Sequence, residues 1–175
     1  MLDTIKLIHP NIQYADDIMK FREEMIATGE DMGGCGNLRK CLTADEWLQD
    51  IKNRENKETC PKGKVTSDTY IAVRKSDNRI VGVIDLRHTI DHPILSEWGG
   101  HIGYCVRPDE RRKGYATEML RIDLEFAKHL GLKKVMITCS ESNIASEKTI
   151  RNNGGIYEKT VFVDNEGTKR FWIEL

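Results

Sequence analysis

The stretch Val106-Arg-Pro-Asp-Glu-Arg-Arg-Lys-Gly-Tyr-Ala116 constrains the chain more than any other. A strand pattern over residues 101–107 runs into it, and a helix pattern over residues 112–130 runs out. Between them stand three consecutive cations, Arg111, Arg112 and Lys113, followed by Gly114. A turn that opens a helix can present free backbone N–H groups and a positive helix end to an anion. Gly114 lets the backbone approach a ligand where a side chain would interfere. Arg111 and Arg112 can grip phosphate oxygens through a planar fork. A diphosphate is the natural guest of such a turn.

The rest of the chain reads as alternating strands and helices around this joint. Residues 4–8 form a short first strand. Tyr14, Ile18, Phe21 and Met25 make one helical stripe. Residues 28–38, with Gly29, Gly33, Gly34 and Gly36, read as a flexible loop. Thr43-Ala-Asp-Glu46 is a capping box opening a second helix with Trp47, Leu48 and Ile51. Residues 52–67 read as a solvated connection. Strands follow at 69–73 and 79–87, joined at Ser76-Asp-Asn78, and then a long loop at 88–99. On the central strand, His101, Gly103 and Cys105 alternate with Ile102, Tyr104 and Val106.

After the basic turn, Met119, Ile122, Phe126 and Leu130 form a stripe, with Gly131 as the stop. Residues 135–138 read as a strand buried on both faces. Asn143 can cap a fourth helix that ends at Asn153-Gly-Gly155. Two strands, 157–163 and 170–175, meet at the turn Asp164-Asn-Glu-Gly167. The order β-α-α-β-β-β-α-β-α-β-β implies an α/β fold. We expect one mixed central sheet of about seven strands and about four helices, in a single domain over residues 1–175.

Composition narrows the function classes. The net charge of −1 favours neither nucleic acid nor an acidic membrane, so the basic turn is a local feature. No apolar run approaches a membrane span, and the N-terminal residues 1–6 lack a signal-peptide layout. Five cysteines without a CxxC pair suit reduced thiols in a cytoplasmic protein. Cys35, Cys41 and Cys60 with His9 match no standard zinc spacing, and no metal is expected. No P-loop or dinucleotide glycine string occurs.

Arg111-x-x-Gly114-x-Ala116, after Val106-Arg-Pro and before a helix and a further strand, resembles the acyl-CoA pyrophosphate loop of the GNAT (GCN5-related) N-acetyltransferases. The resemblance covers residues 65–175 well and the first third loosely. It implies the same order of elements and a V between the central strand and the next, in which acetyl-CoA lies. It implies that Arg111, Arg112, Lys113, Gly114, Tyr115 and Ala116 hold the diphosphate, and that the backbone of Tyr104, Cys105 and Val106 holds the pantetheine arm and thioester. Asn143 matches the position beside that arm, and it can equally be a helix cap alone. Ser146 follows within reach of the cofactor; Lys148 reads as a solvated face.

Many relatives carry a glutamate on the central strand, a few residues before the pyrophosphate loop, and His101 stands in the best-matching place in this chain. An imidazole suits deprotonation of an amine, and a packed structural histidine is the alternative. Asp85, His88 and Glu97 lie nearby in the chain. Where relatives often place a tyrosine, this chain has Ile150, so Tyr104 or Tyr157 is left to protonate the thiolate, or solvent does. Cys105 as an acyl carrier lacks a close histidine, because His101 is two pleats away. The acceptor would be a small-molecule or peptide amine, and Glu23, Glu24, Glu30 and Asp31 would suit a cationic one. A homodimer is compatible with all of this. The rival reading is a non-catalytic acyl-CoA-binding sensor.

Overall fold

The computed structural model describes residues 3–175. Met1 and Leu2, part of the stretch read for a leader, lie outside the described residues. The strands are β1 (Ile5–Ile8), β2 (Ser67–Arg74), β3 (Ile80–Arg87), β4 (Ile102–Val106), β5 (Lys134–Ser140), β6 (Ile156–Val163) and β7 (Glu166–Glu174). The helices are α1 (Ala15–Ala27), α2 (Ala44–Arg54), α3 (Tyr115–His129) and α4 (Ile144–Asn152). Their order is the one the hydrophobic periodicity implies.

The seven strands do not make one continuous mixed sheet. They form a four-stranded sheet, β1-β2-β3-β4, and a three-stranded sheet, β5-β7-β6. Every pairing is antiparallel. The two sheets are stitched at one point just before β4. There the His101 N–H donates to the Met136 carbonyl at 2.7 Å, and the Met136 N–H donates to His101 Nδ1 at 2.9 Å. Gly100, at φ +67°, allows this approach, because a Cβ there would lie 2.6 Å from the Met136 oxygen. Past the stitch, β4 and β5 share no ladder, and the gap between them is the V.

Two apolar cores flank the four-stranded sheet. Ile84, Leu86 and Ile102 pack with Tyr115, Met119 and Leu120 of α3 and Ile150 of α4. Ile71, Val73 and Val83 pack on the other face with Ile18, Phe21 and Met25 of α1 and Trp47 and Ile51 of α2. Burying a side chain such as Phe21 or Met25 contributes about 1.5–3 kcal/mol each. These cores hold the sheet between two helix pairs, so α3 leaves β4 on one side and the α1–α2 loop crosses it on the other.

Local signals act as their chemistry requires, with two differences. Thr43 Oγ1 accepts from the Glu46 N–H at 3.3 Å, but the Glu46 carboxylate caps the Leu42 N–H instead of that of Thr43. The last turn is tighter than the four residues expected: Asp164 and Asn165, both at positive φ, close a two-residue hairpin into β7. The glycine-rich loop is anchored rather than loose. Cys35 and Leu38 are fully buried, and Trp47 Nε1 donates to the Cys35 carbonyl at 2.8 Å. Gly33 and Gly34 lie directly on the backbone of Tyr104 and Gly103. The glycines here serve close packing against β4 rather than mobility.

Candidate active site

The basic turn begins where β4 ends. Arg107 is 1% exposed and acts as a bolt: its guanidinium donates to Glu24 at 2.6 Å, to Asp17 at 2.9 Å and to the Ile80 carbonyl at 2.7 Å. It ties the exit of β4 to α1. Beyond it, Glu110 is buried and pairs with Arg79 at 2.6 Å, Lys113 at 2.8 Å and Arg74 at 2.9 Å. Burial pushes the Glu110 carboxyl up, but the hydrogen bonds from Lys113 and Arg74, with their charge, outweigh it and hold it below the usual range. Neither Arg107 nor Glu110 stood out in the sequence, since all their partners but Lys113 lie far away in the chain.

On this base the turn itself is open. Arg112 and Gly114 both take positive φ, 61° and 88°, and α3 starts immediately after. The backbone N–H groups of residues 112–116 have no acceptor among the described residues, so they remain available at the positive end of α3. Arg112, Lys113 and Gly114 are exposed, Arg111 and Ala116 half-buried, and Tyr115 anchors the turn in the core. Arg111 folds back, donating to the Val106 carbonyl at 3.2 Å and pairing with Glu30 at 2.7 Å. Arg112 has no ion-pair partner among the described residues.

The free edge of β4 continues this surface into the V. Residues 101, 103, 105 and 107 bond to β3, as the 87–101 and 107–81 backbone bonds fix. The N–H and C=O groups of Ile102, Tyr104 and Val106 therefore point the other way, toward the gap. The Tyr104 hydroxyl reaches across to Ser146 Oγ on α4 at 2.8 Å. Burial pushes this phenol up to about 12, against the pull of the Ser146 bond. Asn143 caps α4, its side-chain oxygen accepting from the Ser146 N–H at 3.0 Å.

Three expected residues are placed otherwise. Cys105 turns away from the V: its backbone pairs with β3, and its Sγ lies 3.2 Å from that of Cys35 in the opposite core. Tyr157 is exposed on β6, with its hydroxyl 3.0 Å from Thr160 on the same strand. The structure does not bring it to Tyr104. His101 is 5% exposed at the sheet junction, and its Nδ1 lone pair already accepts the Met136 N–H. That bond puts the ring's proton on Nε2 and leaves no free lone pair. Burial, with the Arg87 cation nearby, also pulls its pKa down to about 4. As placed, His101 joins the sheets and is not poised to take a proton.

A buried carboxylate on β3, Asp85, is a second candidate to take the proton. On the α1–α2 face of the sheet, a cavity of about 180 Å³ lies beneath the glycine loop. It is lined by Gly34, Ser67 and Thr69 of β2, Asp85 and Arg87 of β3, and Arg54 of α2, among others. Asp85 pairs in register with Gly103 of β4 and accepts from Thr69 Oγ1 at 2.8 Å. Burial pushes its carboxyl up, against the pull of Arg87 and the Thr69 and Ser67 bonds. The acidic group expected to greet the acceptor is elsewhere: Glu24 is held by Arg107 and Glu30 by Arg111.

An open anion cradle at a helix start, and a V between β4 and β5, form one continuous surface. The family model for an acetyltransferase (GNAT) domain matches residues 8–156. The chain belongs to the GNAT acetyltransferase family. It is an acetyltransferase, with acetyl-CoA as the donor that defines the family's chemistry. Among curated GNAT relatives, it is 26% identical over 121 residues to the uncharacterized N-acetyltransferase YnaD of Bacillus subtilis (strain 168), covering 61% of this chain and 71% of that one. The GNAT fold also matches RimL, a ribosomal L7/L12 alpha-N-protein acetyltransferase in complex with coenzyme A, at TM-score 0.69 and 15% identity, over 98% of this chain and 94% of that one. The microcin C7 self-immunity acetyltransferase MccE, in complex with acetyl-CoA and AMP, matches at TM-score 0.68 and 18% identity, over 99% and 93%. Among the described residues no helix is long and apolar enough to cross a membrane.

Proposed function

We propose that residues 1–175 act as one N-acetyltransferase domain, which moves the acetyl group of acetyl-CoA to a primary amine by direct attack in a ternary complex. The observation that carries this is the turn at 112–116, five consecutive unpaired N–H groups at the start of α3 and at the mouth of the V. The diphosphate lies on these amides, with Arg112 and Lys113 adding charge. The pantetheine arm runs along the free edge of β4, past Asn143 and Ser146. A backbone N–H on that edge, at Tyr104 or Val106, polarises the thioester carbonyl. Such a donor is worth about 3 kcal/mol at the transition state where it has been measured.

The acceptor enters from the other face, through the cavity under the glycine loop. Its ammonium passes one proton to Asp85, whose raised pKa suits it to this step. The neutral nitrogen attacks the thioester carbon and forms the C–N bond. The tetrahedral intermediate collapses, the C–S bond breaks, and the nitrogen passes its second proton to water. The thiolate leaves and takes a proton from Tyr104, which is neutral across the working pH range, or from water. A small-molecule or peptide amine meets these demands. Five free cysteines suit a reducing compartment, and we place the protein in the cytoplasm.

The test is CoA release, followed with a thiol reagent, against a panel of amines, alongside calorimetric titration of CoA. Turnover on an amine with matching acetylated product supports transfer. Tight CoA binding with no turnover on any amine or peptide favours a sensor instead.

A further inference from the structure

Two arginines in the acceptor cavity have work that transfer alone does not explain. Arg87 is fixed by its Nη1, which donates to the Gly99 and Gly100 carbonyls at 3.0 and 2.8 Å. Its Nη2 has no partner among the described residues and lies on the side of Gly103. Arg54, at the end of α2, is held by Asp50 at 3.0 Å. Asp50 does not line the cavity, whereas Arg54 does, with Lys64 and His92. The two guanidiniums are close enough for Arg54 to depress the pKa of Arg87, below the effect of burial and opposed by Asp85. Three cations therefore share a small cavity with one carboxylate, Asp85. Asp50 offsets Arg54 from outside the cavity and Lys64 is exposed, so the unanswered donors are Arg87 Nη2 and the buried Arg54 Nε, which has no partner among the described residues.

We infer that the acceptor is a small amine that itself carries an anionic group, a carboxylate or a phosphate, with its anion on Arg87 and Arg54 and its amine on Asp85. The spacing supports this. Arg87 Nε lies 3.9 Å from Asp85 Oδ2, so one molecule spans both only if its charges are a few bonds apart. The cavity, at about 180 Å³, suits a small molecule of amino-acid size. The register of Asp85 opposite Gly103 then brings the amine beside the thioester edge of β4. Planar forks recognise carboxylate and phosphate alike, so the cavity identifies the charge and the reach rather than the anion.

This inference rests on the acetyl-transfer reading above, and matched pairs separate the two. CoA release is measured with phosphoethanolamine against ethanolamine, with free amino acids against their amides, and with short peptides. The anionic member of a pair should be preferred at least 10-fold in kcat/KM, and the two anion types tell carboxylate from phosphate. Arg54→Gln should reduce the preference to under about threefold, with Arg87→Gln as the second variant and CoA binding as the control for folding. Equal or better turnover of the neutral member, or of peptides, overturns the inference and leaves acetyl transfer standing. So does a preference that survives both substitutions. Failure of every amine with CoA still bound overturns both.

Discussion

Replacing Arg107 with Met should damage the protein twice, in stability and in cofactor affinity. The guanidinium is 1% exposed and fills three acceptors, Asp17, Glu24 and the Ile80 carbonyl. Removing one partner of a buried pair costs about 3–5 kcal/mol, because the remaining charge loses its compensation. Here the carboxylates keep some water: Asp17 is 25% exposed and Glu24 40%, with Arg79 at 3.9 Å from Glu24. The expected loss therefore falls below that range, about 2–3 kcal/mol. With a urea slope of about 2 kcal/mol/M, the midpoint should fall by roughly 1–1.5 M at constant slope. The Arg107 carbonyl also holds the Glu110 N–H at 3.0 Å, so the basic turn loosens and the Kd for CoA should rise several-fold. Arg107→Lys should recover only part, since an ammonium cannot fork to both carboxylates. A midpoint shift below about 0.3 M would refute the bolt, and unchanged CoA affinity would refute its link to the turn.

Asp123 is fully buried, and neither carboxylate oxygen has a partner among the described residues. Burial, with Asp85 and Asp68 nearby, pushes its carboxyl well above the ordinary range. A raised folded pKa means stability is full below the unfolded value, near 4, and is lost as pH rises toward the folded one. Wild type should thus lose up to about 1.4 kcal/mol per pH unit above pH 4 relative to Asp123→Asn, and parallel urea midpoints across that window would sink this. Gly34→Ala forces a Cβ into the Gly103 carbonyl at φ +78°, so it should lower Tm and raise the acceptor KM; Gly29→Ala, at φ +72° with open space, should cost only about 1–2 kcal/mol. Similar midpoints for the two would dismiss the clamp. Tyr104→Phe removes the hydroxyl bonded to Ser146 and should lower kcat about 10-fold with little change in CoA affinity; an unchanged kcat hands thiolate protonation to water.

Elements marked by local chemistry could be read directly. The stripe at Ile18, Phe21 and Met25, the stop at Gly131 and the cap at Asn143 each depend on neighbours within a turn or two. The basic turn belongs to the same class, because its opening depends on positive φ at Arg112 and Gly114. What escaped depends on pairings distant in sequence. The break into two sheets turns on the His101–Met136 contact, 35 residues apart. The same contact misdirects the choice of base: the residue type at 101 suits proton transfer, but its lone pair is already occupied. Glu24 and Glu30 look like free acids until Arg107 and Arg111 reach them. The cavity draws Arg54, Thr69, Asp85 and Arg87 from three elements, and only strand alternation on β2 and β3 puts the last three on one face.

Titrating CoA calorimetrically into wild type and the Arg111→Ala, Arg112→Ala double variant bears most directly on the basic turn as the diphosphate cradle. The double variant should bind at least 10-fold more weakly, while shortening the ligand to pantetheine should erase most of that difference. Equal CoA affinity for the two proteins would contradict the cradle and the place of the cofactor with it.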